Sequence, residues 1–108
     1  ENFISFFFSN YFIKMAEKQF KTALDFIQNP PAGTDEPSNE SKLKMYALFK
    51  YIQSGPCKEK APSRMKVVAY YKHQAYKALG NKMTQEDAMN KYVEEASKIS
   101  PQLKARLQ

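Results

Sequence analysis

Phenol and ammonium groups lie one helical turn apart in the middle of the chain. Tyr46 and Lys50 are four residues apart in the segment LKMYALFKYIQSGPC, residues 43–57, so on a helix their side chains point in the same direction. Lys72 follows in the next helical segment and Tyr92 in the one after it. Aromatic rings with point charges beside them suit a ligand that combines a flat ring, phosphate groups and an apolar tail.

A second interpretation of these tyrosines is purely structural. Tyr46, Tyr76 and Tyr92 stand at positions where core aromatic residues with solvent-reaching hydroxyl groups are common. The presence of Lys50 on the same face as Tyr46 weakens that interpretation, because an ammonium group beside buried rings is costly unless an anion or water satisfies it.

The middle of the chain is strongly basic. The 108 residues carry a formal net charge of +6, yet residues 42–80 hold nine Lys or Arg against one acid, Glu59. Such a region predicts an anionic partner, which could be a phosphate-bearing ligand, nucleic acid or an acidic membrane surface. The alternative is a solvated lysine-rich face with no partner.

The composition predicts one soluble globular domain without metal or catalytic chemistry. Apolar residues make up 43% of the chain, enough for a core at this length. Cys57 is the only cysteine, which excludes an intrachain disulfide and a thiol-ligated metal site and favours a reducing compartment, hence a cytoplasmic location. The only histidine, His73, is sixteen residues away, a weak signal for catalysis. We therefore expect no enzyme activity, no metal and no cofactor.

Residues 1–14 differ from the rest of the chain. They are rich in Phe, and only Glu1 and Lys14 are charged. The apolar run is shorter than the about 20 residues that span a bilayer, and it lacks the basic start of a secretory signal. Met15 resembles a natural start of the domain 15–108, so we expect an added or alternative extension. Because exposed Phe residues are costly, we expect this extension to pack as a helix on its own domain, or on a second copy of the chain.

The remaining pattern predicts an all-α fold with four core helices, the first of them lengthened by the N-terminal extension. The helices are expected over residues 16–29, 39–53 and 64–79 and after the N-cap Thr84. Glycines are expected to end the second and third helices, and Pro101 closes the fourth or begins a short tail. The residues expected to be buried are Phe20, Ala23, Leu24 and Ile27; Met65, Val68, Ala69, Ala75, Tyr76 and Leu79; and Ala88, Tyr92, Ala96 and Ile99.

Three segments carry a family resemblance that covers residues 16 to about 100. LKMYALFKYIQSGPC, YKHQAYKALGN and TQEDAMNKYVEEA resemble, in order and spacing, the acyl-CoA-binding proteins. Those proteins are four-helix up-down bundles that bind long-chain fatty acyl-coenzyme A. The resemblance implies an intracellular carrier that binds such esters reversibly for buffering and for transport to acyl-using enzymes.

The resemblance also implies ligand-binding roles for matched residues at the nucleotide end of the site. Tyr46 and Lys50 match the tyrosine and lysine that meet the ribose 3′-phosphate and the adenine. Lys72 matches a lysine that neutralises the same phosphate. Tyr92 matches a tyrosine beside the nucleotide, and Phe49 stands where the family has an aromatic residue near the adenine.

Phe20 and Ala23 match positions at the acyl end of the family's site, and several residues, including the loop 61–64, depart from the family pattern. His73 and Tyr76 replace tryptophans, and Val67 replaces a frequent Phe. The first interhelical loop is also a few residues longer than usual. We expect His73 to be a partly exposed helix residue, the alternative being a titratable contact to the ligand.

Two other partners compete with this hypothesis. A basic helical module could bind nucleic acid, but the lysines are scattered over three helices and loops, so we expect no nucleic-acid partner. An anionic membrane surface could bind the Phe-rich extension and the basic face, although the extension lacks the Lys-rich polar face of an interfacial helix. We expect no membrane span, and self-association through residues 1–14 remains a candidate interaction.

Overall fold

The computed structural model describes the backbone of residues 3–108 and the side chains from Phe8 onward. The described chain forms helices and no strands, which confirms the all-α prediction. The helices are α1 (Phe3–Gln28), α2 (Asn39–Ser54), α3 (Val67–Ala78), α4 (Gln85–Ser97) and α5 (Pro101–Leu107).

Helix α4 organises the bundle. It packs against α2 on one side and α1 on the other, while α3 packs against α2 and α5 packs against α1 and α4. No Cα atoms of α1 and α2 come within 8 Å of each other in the part of the chain that the structure describes. A gap is therefore left between α1 and α2, above α4.

The core is built from small and aromatic side chains at helical spacing. Ala88, Tyr92 and Ala96 of α4 are buried one turn apart, as the sequence predicted. On α1, Ala23 is buried as predicted, but the fully buried ring is that of Phe26, which the periodicity did not single out. The small alanines let neighbouring helices approach closely, and the aromatic rings fill the remaining space.

Local signals define the helix ends as expected. The Asp87 backbone N–H donates to the Thr84 hydroxyl at 3.0 Å, and the Thr84 N–H donates to the Asp87 carboxylate at 3.2 Å, which makes a capping box at the start of α4. Gly55 and Gly80 follow α2 and α3 with φ of 75° and 72°, values that only glycine adopts without strain.

The prediction for the third helix was wrong at its start. Helix α3 begins at Val67 rather than residue 64, and Met65 (91% exposed), Val68 (68% exposed) and Ala69 all face solvent. The described contacts of α3 are with α2, and its buried residues, His73 and Tyr76, lie in its C-terminal half. Tyr76 is buried there as predicted.

The C-terminal tail forms a fifth helix that the sequence analysis did not predict. The Ser100 hydroxyl accepts the Gln102 N–H at 3.1 Å and Pro101 occupies the first turn, so capping and proline placement both favour a helix start here. Leu103 of this helix is completely buried. Helix α5 therefore belongs to the core and fastens α1 to α4.

The N-terminal segment is helical, as predicted, and continues without a break into the rest of α1. Packing on its own domain, however, is wrong for Tyr11 and Phe12, which are 51% and 56% exposed and contact each other edge to face. The side chains of Phe6 and Phe7 lie outside the described residues. Packing on a second copy and the domain division at Met15 stay predictions.

No helix in the described ranges combines the length and apolarity that crossing a membrane requires.

A buried carboxylate ties α4 to α2. The Ser41 hydroxyl donates to Glu95 Oε2 at 2.8 Å, and the ammonium groups of Lys98 and Lys44 lie 3.5 and 4.0 Å from Glu95 Oε1. Burial alone would raise the pKa of Glu95, but the hydroxyl and the two cations outweigh it and lower the pKa.

Replacing Glu95 should make folding less sensitive to acid. Because the folded-state pKa of Glu95 is below its ordinary value of 4.5, the carboxylate stabilises the fold above that pH, and the contribution is lost as the pH falls through the folded-state pKa. In thermal unfolding across pH, wild type should exceed Glu95→Gln in stability at neutral pH, with a difference that shrinks below pH 4.5. Glu94→Gln, an exposed neighbour, is the control. A wild-type advantage that is unchanged in acid contradicts this account.

Removing the buried side chain of α5 should destabilise the whole bundle. Leu103→Ala leaves a cavity among α1, α4 and α5, at a cost of about 3 kcal/mol in unfolding free energy. Urea denaturation followed by circular dichroism measures the loss, with the exposed Lys104→Ala as the control. Equal stability of the two variants would show that α5 is not part of the cooperative fold.

Candidate functional site

The gap between α1 and α2 is an apolar cleft of about 590 Å³ whose floor is α4. Helix α1 supplies one wall, α2 supplies the other, and the loop over residues 29–38 closes one end. A cavity of this size and polarity is in the range of small-molecule sites, about 300–1,000 Å³. Its apolar lining includes Leu24, Ile27, Met45, Phe49, Tyr92 and Ile99.

The closing loop is tied to α2 by an ion pair. Thr34 turns the loop by donating from its backbone N–H and its hydroxyl to the Pro31 carbonyl, at 3.2 and 2.7 Å. The Glu36 carboxylate then lies 2.6 Å from Lys42 Nζ, and the hydrogen bond and charge of that ammonium group lower the pKa of Glu36. Both residues line the cleft.

Lys42 and this loop were not among the predicted site residues. A signal was available, because Lys42 precedes Tyr46 by four residues and shares its helix face. The unusual length of the loop was a second signal. Its place over the cleft could not be read from composition.

Tyr46 joins the apolar cleft to a group of cations. Its ring lines the cleft, and Lys72 Nζ of α3 lies 5.0 Å from the ring centroid, within cation–π range. Helix α3 therefore contributes an ammonium group to the edge of the cleft although, in the described chain, it packs only against α2.

Lys50 lies one turn beyond Tyr46 and is paired with an acid. Its Nζ is 3.0 Å from Glu59 Oε1 and 5.8 Å from the centroid of the Tyr76 ring. The hydrogen bond to Glu59 and the charge of that carboxylate raise the pKa of Lys50. Lys50, Lys72 and Tyr46 thus form one cluster of donors at the edge of the cleft.

Tyr92 lies on the floor of the cleft, almost completely buried. Phe20 of α1 meets it edge to face, with ring centroids 5.1 Å apart. Burial raises the pKa of Tyr92 to about 12, so its phenol stays protonated, and able to donate, well above physiological pH.

The predicted site residues are therefore placed unequally. Tyr46, Phe49 and Tyr92 line the cleft, and Lys50 and Lys72 flank its Tyr46 side. Phe20 packs against Tyr92, whereas the Ala23 methyl group is fully buried in the core.

His73 is buried, so the prediction of a partly exposed helix residue was wrong. Its Nε2 lies 3.0 Å from the Glu59 carbonyl oxygen and must carry the proton there, since a carbonyl only accepts. The Cys57 sulfur lies 3.7 Å from the same nitrogen, and Nδ1 has no hydrogen-bond partner among the described residues. His73 packs against the loop after α2 and does not line the cleft.

A second groove, of about 470 Å³, lies on the opposite face of α2 and shares no lining residue with the cleft. Its floor is Ala47 and Leu48, and its rim carries side chains of both charges, including Lys44, Lys91 and Glu94. Within the described residues no group of three His, Cys, Asp or Glu side chains could hold a metal ion.

Comparison with known proteins identifies the family. The family model described as acyl CoA binding protein matches residues 17–96. The chain belongs to the acyl-CoA-binding protein family. The match covers α2, α3 and the C-terminal half of α1, with nearly all of α4, and thus every residue that lines the cleft except Ile99.

Relatives of known name agree with this assignment. The chain is 43% identical over 84 residues to acyl-CoA-binding domain-containing protein 5 of Bos taurus, a match that covers 77% of this chain and 16% of that protein. It is 31% identical over 96 residues to human enoyl-CoA delta isomerase 2, covering 89% of this chain and 23% of that protein. The chain thus spans a sixth to a quarter of the length of these relatives.

Solved structures share the fold. Superposition on ACBP from Moniliophthora perniciosa gives a TM-score of 0.74 at 25% identity, covering 84% of this chain and 93% of that one. For Oryza sativa acyl-CoA-binding protein 2 the TM-score is 0.68 at 26% identity, covering 83% and 96%. The predicted acyl-CoA-binding bundle is confirmed.

Proposed function

We propose that this chain is a carrier that reversibly binds long-chain fatty acyl-CoA in the cleft between α1 and α2. The observation that carries the proposal is the position of Tyr46, whose ring lines the apolar cleft while Lys72 lies 5.0 Å from its centroid. One ligand that has an apolar tail and a phosphorylated head can therefore contact both regions at once.

The apolar lining suits the acyl tail. Leu24, Ile27 and Met45 provide alkyl surface on both walls, and Ile99 extends it along the floor. Each buried methylene adds about 0.8 kcal/mol, so a sixteen-carbon tail supplies roughly ten kcal/mol before entropy costs. We assign Phe20 and Ala23 to the same region. Phe20 contacts the Tyr92 ring edge to face, and Ala23 is the small, fully buried residue at which that part of α1 packs into the core.

The donor cluster suits the nucleotide head. A phosphomonoester carries close to two negative charges, and ammonium and phenol donors make strong charge-assisted hydrogen bonds to it. We assign Lys50, Lys72 and Tyr46 to the ribose 3′-phosphate. Phe49 and Tyr92 present aromatic surface to the adenine, and the neutral phenol of Tyr92 is a further donor.

We propose that the chain binds its ligand without catalysing a reaction on it. The only close sulfur–imidazole pair, Cys57 and His73, is engaged with the Glu59 carbonyl and lies outside the cleft lining. The isomerase named among the relatives is matched over 23% of its length, and its activity is not assigned to this chain. Delivery of the ester to acyl-using enzymes and a cytoplasmic location stay predictions.

The competing partners gain no support from the site. The basic residues at the cleft are divided between α2 and α3 and face tyrosine rings or acids, which is unlike a helix that presents a basic face to a nucleic-acid groove. We therefore propose neither nucleic acid nor a membrane surface as the ligand of this site.

Removing either donor on α2 should weaken acyl-CoA binding without unfolding the bundle. We expect Lys50→Ala and Tyr46→Ala each to lower the affinity for palmitoyl-CoA by at least about tenfold, because each loses a charge-assisted contact. Calorimetric titration measures the change. Lys91→Ala, at the second groove and outside the Glu95 network, is the control and should bind like wild type. Unchanged affinity in both site variants refutes the site assignment.

A further inference from the structure

Lys50, assigned above to the ligand's phosphate, already has an anionic partner within the chain. Glu59 Oε1 lies 3.0 Å from Lys50 Nζ, and Glu59 is the only acid among residues 42–80. The Lys50 side chain is only 25% exposed and faces the Tyr76 ring at 5.8 Å. An incoming phosphate and the Glu59 carboxylate therefore compete for the small exposed part of the Lys50 side chain.

The segment that carries Glu59 is held in place by α3. The buried His73 donates from Nε2 to the Glu59 carbonyl at 3.0 Å, and the Tyr76 hydroxyl donates to the Gly55 carbonyl at 2.7 Å. Both bonds go to main-chain atoms at the two ends of residues 55–59. The backbone that carries Glu59 is thus held beside Lys50 at both ends of residues 55–59, and the partly exposed Glu59 side chain reaches the ammonium group from there.

Two anions at one ammonium group repel each other. The ligand's phosphomonoester brings close to two negative charges to a point about a hydrogen-bond length from Lys50, where Glu59 now sits. Binding at that point requires the carboxylate to leave, and the Lys50–Glu59 hydrogen bond is lost in exchange for one to the phosphate.

We propose that Glu59 is an internal competitor for the phosphate of the ligand, and so a residue that sets affinity and specificity at this site. The inference rests on the proposed acyl-CoA function. A doubly charged phosphomonoester displaces a single carboxylate from Lys50, whereas a ligand without that phosphate gains nothing from the exchange. Glu59 therefore lowers the affinity for the phosphorylated ligand alone, and so reduces the margin by which the site prefers a ligand with the 3′-phosphate.

The test is Glu59→Gln, which keeps the size of the side chain and removes its charge. At about 0.15 M salt, where distant charges are screened, the variant should bind palmitoyl-CoA about threefold more tightly than wild type, as expected for release of one partly exposed ion pair. Glu94→Gln removes the same charge at the second groove and should leave the affinity unchanged. Glu59 is more than half exposed, so folding should survive the substitution.

A second ligand isolates the phosphate. Palmitoyl-CoA that lacks the ribose 3′-phosphate should bind wild type and Glu59→Gln with the same affinity. Equal or weaker binding of intact palmitoyl-CoA by Glu59→Gln, an equal gain in Glu94→Gln, or a gain that persists without the 3′-phosphate each overturns the inference. If wild type does not bind palmitoyl-CoA at all, the proposed function fails and this inference fails with it, a result distinct from the other three.

Discussion

Helices α1 and α2 are both held against α4 and yet do not approach each other within 8 Å at any Cα pair in the described chain. This spacing is the constraint on which the rest of the structure depends, because it leaves an apolar cleft between two walls that would otherwise close. It is maintained from both sides. The carboxylate network of Glu95 fastens α2 to α4, and Leu103 of α5 fastens α1 to α4. The cleft is thus a consequence of how the bundle packs: it is a part of the core between α1 and α2 that no side chain fills.

The cations reach the cleft indirectly. Helix α3 packs against α2 on the side away from α1, and its Lys72 reaches over the Tyr46 ring while its Tyr76 backs the Lys50 ammonium group. The apolar lining and the cations therefore meet at one residue of α2, Tyr46. Three of the nine basic residues in 42–80, namely Lys42, Lys50 and Lys72, lie at or beside the cleft, and Glu59, the only acid in 42–80, pairs with one of them.

Much of this architecture could be predicted from sequence because local signals agree with packing. The capping box at Thr84, the glycines after α2 and α3 and the spacing of Ala88, Tyr92 and Ala96 each act over a few residues. The failures have a common cause. A helical residue is buried only where another helix covers its part of the helix surface, and no helix covers Tyr11, Phe12 or Val68 in the described structure. His73 is buried because it packs against a loop 14 residues away in sequence. Lys42 and the loop over the cleft were missed for the same reason, since their role depends on where α1 ends relative to α2.

We propose that the apolar cleft and the cations at its edge form one site that binds both the apolar tail and the phosphorylated head of one ligand. Calorimetric titration with palmitoyl-CoA, beside free CoA and free palmitate under the same conditions, tests it most directly. The account predicts tight binding of the ester, with far weaker binding of either half, because the apolar cleft and the donor cluster each supply only part of the free energy. Binding of palmitate as tight as that of the ester, or no binding of the ester, would contradict it.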